Sequence, residues 1–190
     1  MQDSSGSPKW NDKAIMQAKY DITSQSYDEL YGEEQRCKYR AASPFLAKAA
    51  KADRHTVLCD IGCGTLLLYE YLKSTVGEAA ERIAYYVGID LSLGMLRVAA
   101  SRRDALVDVV QADAEHLPLR EAACTVSVSF TVIDLVPSPR QFLAECCHAT
   151  RGYCLVSSLK RAQRLRRVNL RVGTYIGETE KDTLFAARCA

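Results

Sequence analysis

Val57-Leu58-Cys59-Asp60-Ile61-Gly62-Cys63-Gly64-Thr65 is the stretch that decides the fold. A short apolar run meets an acidic residue, then two glycines one residue apart, then the start of a helical pattern. This predicts a buried strand that ends in a tight turn. Glycine at both positions removes the Cβ that would keep a ligand away from the backbone. Gly-x-Gly alone is also compatible with an ordinary strand-to-helix turn. A dinucleotide loop would carry a third glycine, whereas here Gly64 is followed by Thr65-Leu66-Leu67.

Two further strand ends narrow the reading. Tyr86-Val87-Gly88-Ile89-Asp90-Leu91-Ser92 is a second apolar run ending in Asp, followed by a helix start. In open α/β sheets ligands bind beyond the carboxyl ends of the strands. An ionised carboxylate there is acceptor-only and suits the paired hydroxyls of a ribose. Val107-Asp108-Val109-Val110-Gln111-Ala112-Asp113-Ala114-Glu115-His116-Leu117-Pro118-Leu119 gives a third strand and a polar turn. Asp113 is placed to accept from an exocyclic adenine amine, and the Ala114 N–H to donate to a ring nitrogen.

The chain has 190 residues, 48% of them hydrophobic and 8% aromatic, so one globular domain with a substantial core is expected. No apolar run approaches the roughly 18 residues of a membrane span. Met1 to Lys9 is polar, shows no secretory h-region and is expected to be disordered. The eight cysteines include Cys59, Cys63 and the adjacent Cys146-Cys147, with no C-x-x-C pair. They read as buried thiols in a reducing cytoplasm rather than as a metal cluster. The net charge of +2 is small, but Lys160, Arg161, Arg164, Arg166, Arg167 and Arg171 crowd one stretch. That tract is either a solvated helix face or a docking patch for an anionic partner such as RNA phosphate.

Trp10 to Ala50 reads as helical. Ser26-Tyr27-Asp28-Glu29 is a capping-box pattern, and Ser43-Pro44 predicts a break. Strands are expected near 56–61, 85–90, 107–111, 124–130 and 152–157, with helices near 66–76, 92–103 and 139–148. This alternation predicts a parallel sheet with helices on both faces. After a basic helix near 159–167, Leu170 to Ile176 and Thr183 to Arg188 read as two strands joined by a hairpin over 177–182.

Together, Asp60-Ile61-Gly62-Cys63-Gly64-Thr65, Gly88-Ile89-Asp90-Leu91-Ser92 and Gln111-Ala112-Asp113-Ala114-Glu115-His116-Leu117-Pro118 resemble the first three cofactor motifs of class I S-adenosylmethionine-dependent methyltransferases. The chain is most similar to the UbiE-like group of small members. Tyr27-Asp28-Glu29-Leu30-Tyr31-Gly32-Glu33-Glu34-Gln35 resembles archaeal-type members of that group. The resemblance implies a Rossmann-like α/β fold with a seven-stranded, mostly parallel sheet whose last strand is antiparallel. It implies a single domain over 10–190, with lid helices over 10–52 and the core over 53–190.

By the same resemblance the cofactor-binding residues are Asp60, Gly62, Cys63 and Gly64 in the first loop, Asp90 and Leu91 at the ribose and adenine, Asp113 and Ala114 at the adenine edge, and Phe130 and Thr131 beside the methionine part. Tyr27 and Tyr31 close over the cofactor or simply pack in the core. Lys38 or Arg40 meets its carboxylate. Two positions depart from the family pattern: Leu66 stands where a glycine is usual, and Ala149-Thr150-Arg151-Gly152 lacks the usual Pro-Gly-Gly.

The acceptor is harder to read. Phe130-Thr131-Val132-Ile133-Asp134-Leu135-Val136-Pro137 is not the Asn-Pro-Pro-Tyr pattern that holds a planar amide or amine. Asp134 is the candidate catalytic group, as an orienting or proton-taking carboxylate, or else a loop carboxylate. His116 and His148 qualify as bases by residue type and more readily as structural residues. Three functions remain open. One is methylation of RNA, with tRNA as the candidate and Arg161, Arg164, Arg166 and Arg167 as the RNA patch. That reading adds a small zinc-binding activator subunit, paired along Val107–Val110 by β-augmentation. The others are small-molecule methylation and an inactive cofactor-binding subunit.

Overall fold

Strand β1, Thr56–Ile61, is buried over most of its length and so takes a central place, with neighbours on both sides. It belongs to the computed structural model of the chain, which describes residues 12–51, 55–75, 82–162 and 173–189. The other strands are β2 (Ile83–Asp90), β3 (Val107–Gln111), β4 (Cys124–Phe130), β5 (Thr150–Leu159), β6 (Gly173–Glu178) and β7 (Asp182–Arg188). They form one seven-stranded sheet in the order β3-β2-β1-β4-β5-β7-β6. The first five are parallel, and β7 runs antiparallel between β5 and β6. Every residue of β4 is buried, as expected of a parallel strand covered on both faces.

The helices are α1 (Lys13–Thr23), α2 (Tyr27–Lys51), α3 (Leu67–Thr75), α4 (Leu93–Ala100) and α5 (Pro139–Ala149). Side chains of α2, α3 and α4 fill one core layer, with Tyr39, Leu46, Leu68, Leu72 and Leu96 among them. Phe142 and Cys146 of α5 fill the other with Ile61, Ile89 and Ile133. The chain order reverses between β1 and β4, which puts a cleft beyond their carboxyl ends.

Four local expectations are corrected. Pro44 lies inside an unbroken α2. The face Tyr39, Ala42, Leu46 and Ala49 stays packed on the sheet through the proline, and that packing outweighs one missing hydrogen bond. Ser26 does not close a capping box. Its hydroxyl donates back to Thr23 O at 3.3 Å, within the turn joining α1 to α2. Lys160 to Ala162 form a turn after β5, and the rest of the expected basic helix lies outside the described residues. The cysteines are not all free thiols. Cys59 and Cys124 form a disulfide with Cα atoms 5.9 Å apart, 65 residues apart in sequence. Closing a loop of that length stabilises the fold by about 4 kcal/mol through the unfolded chain.

Candidate active site

The loop after β1 is shaped by backbone that only glycine tolerates well. Gly62 has φ +83° and Gly64 has φ +53°. A Cβ on Gly62 would lie 2.1 Å from Val132 Cγ2, so the loop can pass β4's exit only without a side chain. The Gly62 and Cys63 N–H groups donate to Ile89 O at 2.7 and 3.0 Å and pin the loop to β2. Leu66, standing where the family has glycine, is itself left-handed at φ +66°. That conformation costs about 1–2 kcal/mol for a residue with a Cβ. Its side chain is fully buried in the core against Gly88 and does not enter the cleft. The Cys63 thiol also turns inward toward Gly88, and burial pushes its pKa up.

Two carboxyl groups lie at this turn, in different settings. Asp90 faces the cleft. Its two oxygens accept from Gly64 N at 2.9 Å and Ser92 N at 2.8 Å, which orients the group and leaves each oxygen with further acceptor capacity. Burial raises its pKa, and those backbone donors oppose the rise. Asp60 lies beneath the loop, accepts from the Tyr86 hydroxyl and does not line the cleft. Burial pushes its pKa up to about 7.

Helix α1 is fastened across the cleft at both ends. Lys13 pairs with Asp113, and with Glu115 at 2.6 Å. Asp21 Oδ1 accepts from Ser92 Oγ at 2.5 Å and Gly94 N at 2.8 Å, at the start of α4. Lys13, Met16, Gln17 and Tyr20 therefore line the cleft. Tyr20, Tyr27 and Tyr31 follow one another at ring-centroid distances of 6.2 and 5.1 Å. The start of α2 is tied to the glycine loop. Thr65 Oγ1 donates to Asp28 at 2.6 Å, Arg102 pairs with the same carboxylate, and Arg102 Nη1 donates to Thr65 O at 2.9 Å.

At β4's exit Thr131 is left-handed, φ +69°, an outlier for a β-branched residue. Its N–H donates to Ser157 Oγ at 2.9 Å, and Lys38 Nζ donates to its Oγ1 at 2.7 Å. The Lys38 side chain is 1% exposed and also pairs with Glu34 at 3.2 Å and with the fully buried Asp182 at 3.4 Å. Glu34 is bound in turn by Lys181 at 2.7 Å.

Gly62, Gly64, Asp90, Leu91, Asp113, Ala114, Phe130, Thr131, Tyr27, Tyr31, Lys38 and Arg161 thus line one cavity of about 670 Å³. Asp60, Cys63 and Arg40 do not line it, nor does Asp134. Asp134 accepts from Ser158 Oγ at 2.8 Å and Leu159 N at 2.7 Å, holding β5. Arg164, Arg166, Arg167 and Arg171 lie outside the described residues. Sequence reasoning missed Lys13, Met16, Gln17 and Tyr20, although their helical spacing on α1 marks a single face. It also missed Lys181 as a cleft residue, whereas Lys160, named in the basic tract, does line the cleft.

The model of the methyltransferase domain family matches residues 59–154, about half of the chain. A malonyl-[acyl-carrier protein] O-methyltransferase from a Marinomonas species is 30% identical over 153 residues, covering 77% of this chain and 52% of that protein. Its Hahella chejuensis counterpart is 28% identical, covering 78% and 50%. The chain thus spans about half the length of these relatives. Among solved structures, magnesium protoporphyrin IX methyltransferase from Synechocystis with bound S-adenosylmethionine superposes with a TM-score of 0.69 at 12% identity, over 97% of this chain and 99% of that one. A complex between the Haloferax volcanii Trm112 methyltransferase activator and a methyltransferase gives 0.61 at 15% identity, over 90% and 97%. The chain belongs to the methyltransferase-domain family and has the Rossmann-like fold of the structures it superposes on.

Proposed function

We propose that the chain transfers a methyl group from S-adenosylmethionine to a small acceptor. The observation that carries this is the convergence of three strand ends on one cavity. The bare backbone of Gly62 and Gly64, the oriented carboxylate of Asp90, and Asp113 with Ala114 all line it. The fit to the cofactor is chemical. A Cβ would fill the cradle at Gly62, and Asp90 keeps acceptor capacity for two hydroxyls. The bound cofactor supplies an electrophilic methyl group.

The protein's residues then have distinct tasks. Gly62 and Gly64 give close approach to the methionine part, with Phe130 and Thr131 beside it. Asp60 and Cys63 support that loop from below. Asp90 accepts from the ribose, Leu91 packs on the base, and Asp113 and Ala114 read its edge. Tyr27 and Tyr31 cover the site and exclude water. Orientation of this kind supplies roughly 7–11 kcal/mol in well-placed systems. A small acceptor is favoured over RNA by the malonyl-[acyl-carrier protein] O-methyltransferase relatives, and it fits a single domain of the UbiE-like kind. Calorimetry with S-adenosylhomocysteine tests the site. Asp90→Ala is expected to weaken binding by about 10- to 100-fold, because hydrogen bonds to a charged group are worth about 1.5–3 kcal/mol. Unchanged affinity counts against the assignment.

A second reading, an RNA acceptor with an activator subunit, draws on the open sheet edge. Among the described residues strand β3 has a partner on one side only, and Leu106 beside it is 48% exposed. Co-purification of a small zinc-binding subunit, lost when Val109→Lys is introduced, supports that reading. Methylation of a small acceptor by the chain alone counts against it.

A further inference from the structure

The geometry points to an acceptor that carries a carboxylate, held at the cleft mouth by Arg161 with Lys160 and Lys181 and methylated on oxygen without a protein base. This deepens the small-acceptor reading and rests on it.

The first argument is the absence of a suitable base. Among the described residues the cavity is lined by no histidine and no cysteine. Its carboxylates are Glu34, Asp90, Asp113 and Glu180. Asp90 and Asp113 stand at the strand ends that take the nucleoside. Glu34 is bound by Lys38 and Lys181. Burial opposes its charge, but the Lys181 hydrogen bond and the Lys38 charge hold its pKa below the ordinary value. Glu180 sits exposed in the hairpin turn beside Lys181. The Tyr20 phenol is pushed up to about 12 by burial, and Tyr27 is also raised. Both remain protonated at neutral pH and donate hydrogen bonds rather than take protons. An acceptor that must lose a proton finds little help here. An acceptor that arrives ionised needs none.

The second argument is the rim. Leu159 pairs with Asp182 at the end of the antiparallel β5–β7 ladder, and Lys160 N donates to Lys181 O at 2.8 Å. Lys160, Arg161 and Lys181 are thereby gathered on one edge of the cavity. Lys160 pairs with Glu178 at 3.3 Å and Lys181 with Glu34. Arg161 lies on the same edge of the cavity and adds its charge to theirs. Arg161 brings a planar fork that matches a carboxylate with two parallel hydrogen bonds. The wall beneath is apolar, from Val132, Leu135 and Leu159, and suits an aliphatic body. In the transfer one carboxylate oxygen bonds to the methyl carbon as the carbon–sulfur bond breaks. The electron pair goes to sulfur, leaving a neutral ester and a neutral thioether, and no proton moves.

The test titrates butanoate, octanoate and dodecanoate, and the matching primary alcohols, into protein saturated with S-adenosylhomocysteine. At least one carboxylate is expected to bind, with its alcohol weaker by about tenfold or more. Arg161→Ala should lose that preference and Arg161→Lys recover part of it. With S-adenosylmethionine, esterification of the bound acid should not quicken as pH rises from about 6 to 9. Equal binding of acid and alcohol, no binding by any acid, an unchanged preference in Arg161→Ala, or a rate rising with pH each overturns the proposal. So does transfer into RNA with none into the acids. Failure of S-adenosylhomocysteine itself to bind sinks the broader reading instead, so the two failures are separable.

Discussion

The two ends of the cleft are built from different materials. At the proposed nucleoside end each group sits in, or next to, the strand-end turn that presents it. Asp90 is oriented by N–H groups of Gly64 and Ser92, and Gly62 is pinned to Ile89 O. At the other end, proposed to hold the methionine part and admit the acceptor, the groups come from distant parts of the chain. Lys38 of α2 meets Thr131 after β4 and Asp182 at the start of β7, 93 residues apart in the first case. Backbone geometry fixes the first end, and a buried charge network fixes the second. The nucleoside end should therefore be sensitive to added atoms, and the acceptor end to unbalanced charge.

The largest effect is expected at the network. Lys38→Met leaves Asp182, which is fully buried, beside Glu34 without the shared cation. Removing one partner of a buried pair costs about 3–5 kcal/mol. Denaturant unfolding should show that loss, and a second change, Asp182→Asn, should recover part of it by removing the stranded charge. Retained full stability in Lys38→Met would mean that the network does not hold this end together.

Next comes Gly62→Ala. The added Cβ meets Val132 Cγ2 at 2.1 Å, and φ is +83°. The loop must move away from β4's exit. S-adenosylhomocysteine affinity is expected to fall by about 100-fold, equivalent to about 2.7 kcal/mol. The loss of stability should be smaller than in Lys38→Met. A variant that binds normally would show that close backbone approach is not what the glycine provides.

A third effect separates the ends by pH. Burial holds Asp60 protonated up to about pH 7, whereas in the unfolded chain it ionises near its ordinary value of 3.8. The folded state thus binds more protons in that window. Its contribution to stability is fully present below about 3.8 and is lost as pH rises through about 7. The slope contributed is at most about 1.4 kcal/mol per pH unit. Asp60→Asn, which keeps an acceptor for the Tyr86 hydroxyl, should flatten the decline in unfolding free energy across this range. An identical profile in both proteins would remove Asp60 as its source.

The same division explains what could be read from the sequence. The nucleoside end was legible because its determinants are local: Gly62, Gly64, Asp90 and Asp113 each sit within a few residues of a strand end. The seven-stranded, mostly parallel sheet with its antiparallel last strand followed from strand–helix alternation and the family resemblance. The acceptor end was not legible. Asp134 lies at the right strand end, yet its carboxylate faces β5 rather than the cleft, a choice made by Ser158 and Leu159. Asp182 read as a turn residue because nothing near it in sequence announces Lys38. The Cys59–Cys124 pairing, likewise, is decided by which strands become neighbours. Leu66 read only as a departure from the family's glycine, because a helix-start leucine gives no hint that its backbone turns left-handed and carries the side chain into the core.

The smallest expected effect tests the clasp between the nucleoside end and α1. Burial opposes the charge of Lys13, but its hydrogen bonds to the Asp113 and Glu115 carboxylates outweigh it and raise its pKa, so the cation persists at neutral pH. The pair with Asp113 is partly solvent-exposed, 34% at the lysine and 25% at the carboxylate, so its contribution is below about 1 kcal/mol. Lys13→Met should therefore raise the dissociation rate of S-adenosylhomocysteine by less than about fivefold, because α1 is still fastened at Asp21. Salt separates a charge clasp from simple packing. In the wild-type protein dissociation should quicken with ionic strength as the pair is screened, and in Lys13→Met that dependence should diminish. Stopped-flow measurements at low and high salt decide between the two. An unchanged salt dependence would leave Met16 and Tyr20, rather than the ion pair, as the contacts by which α1 closes the cleft.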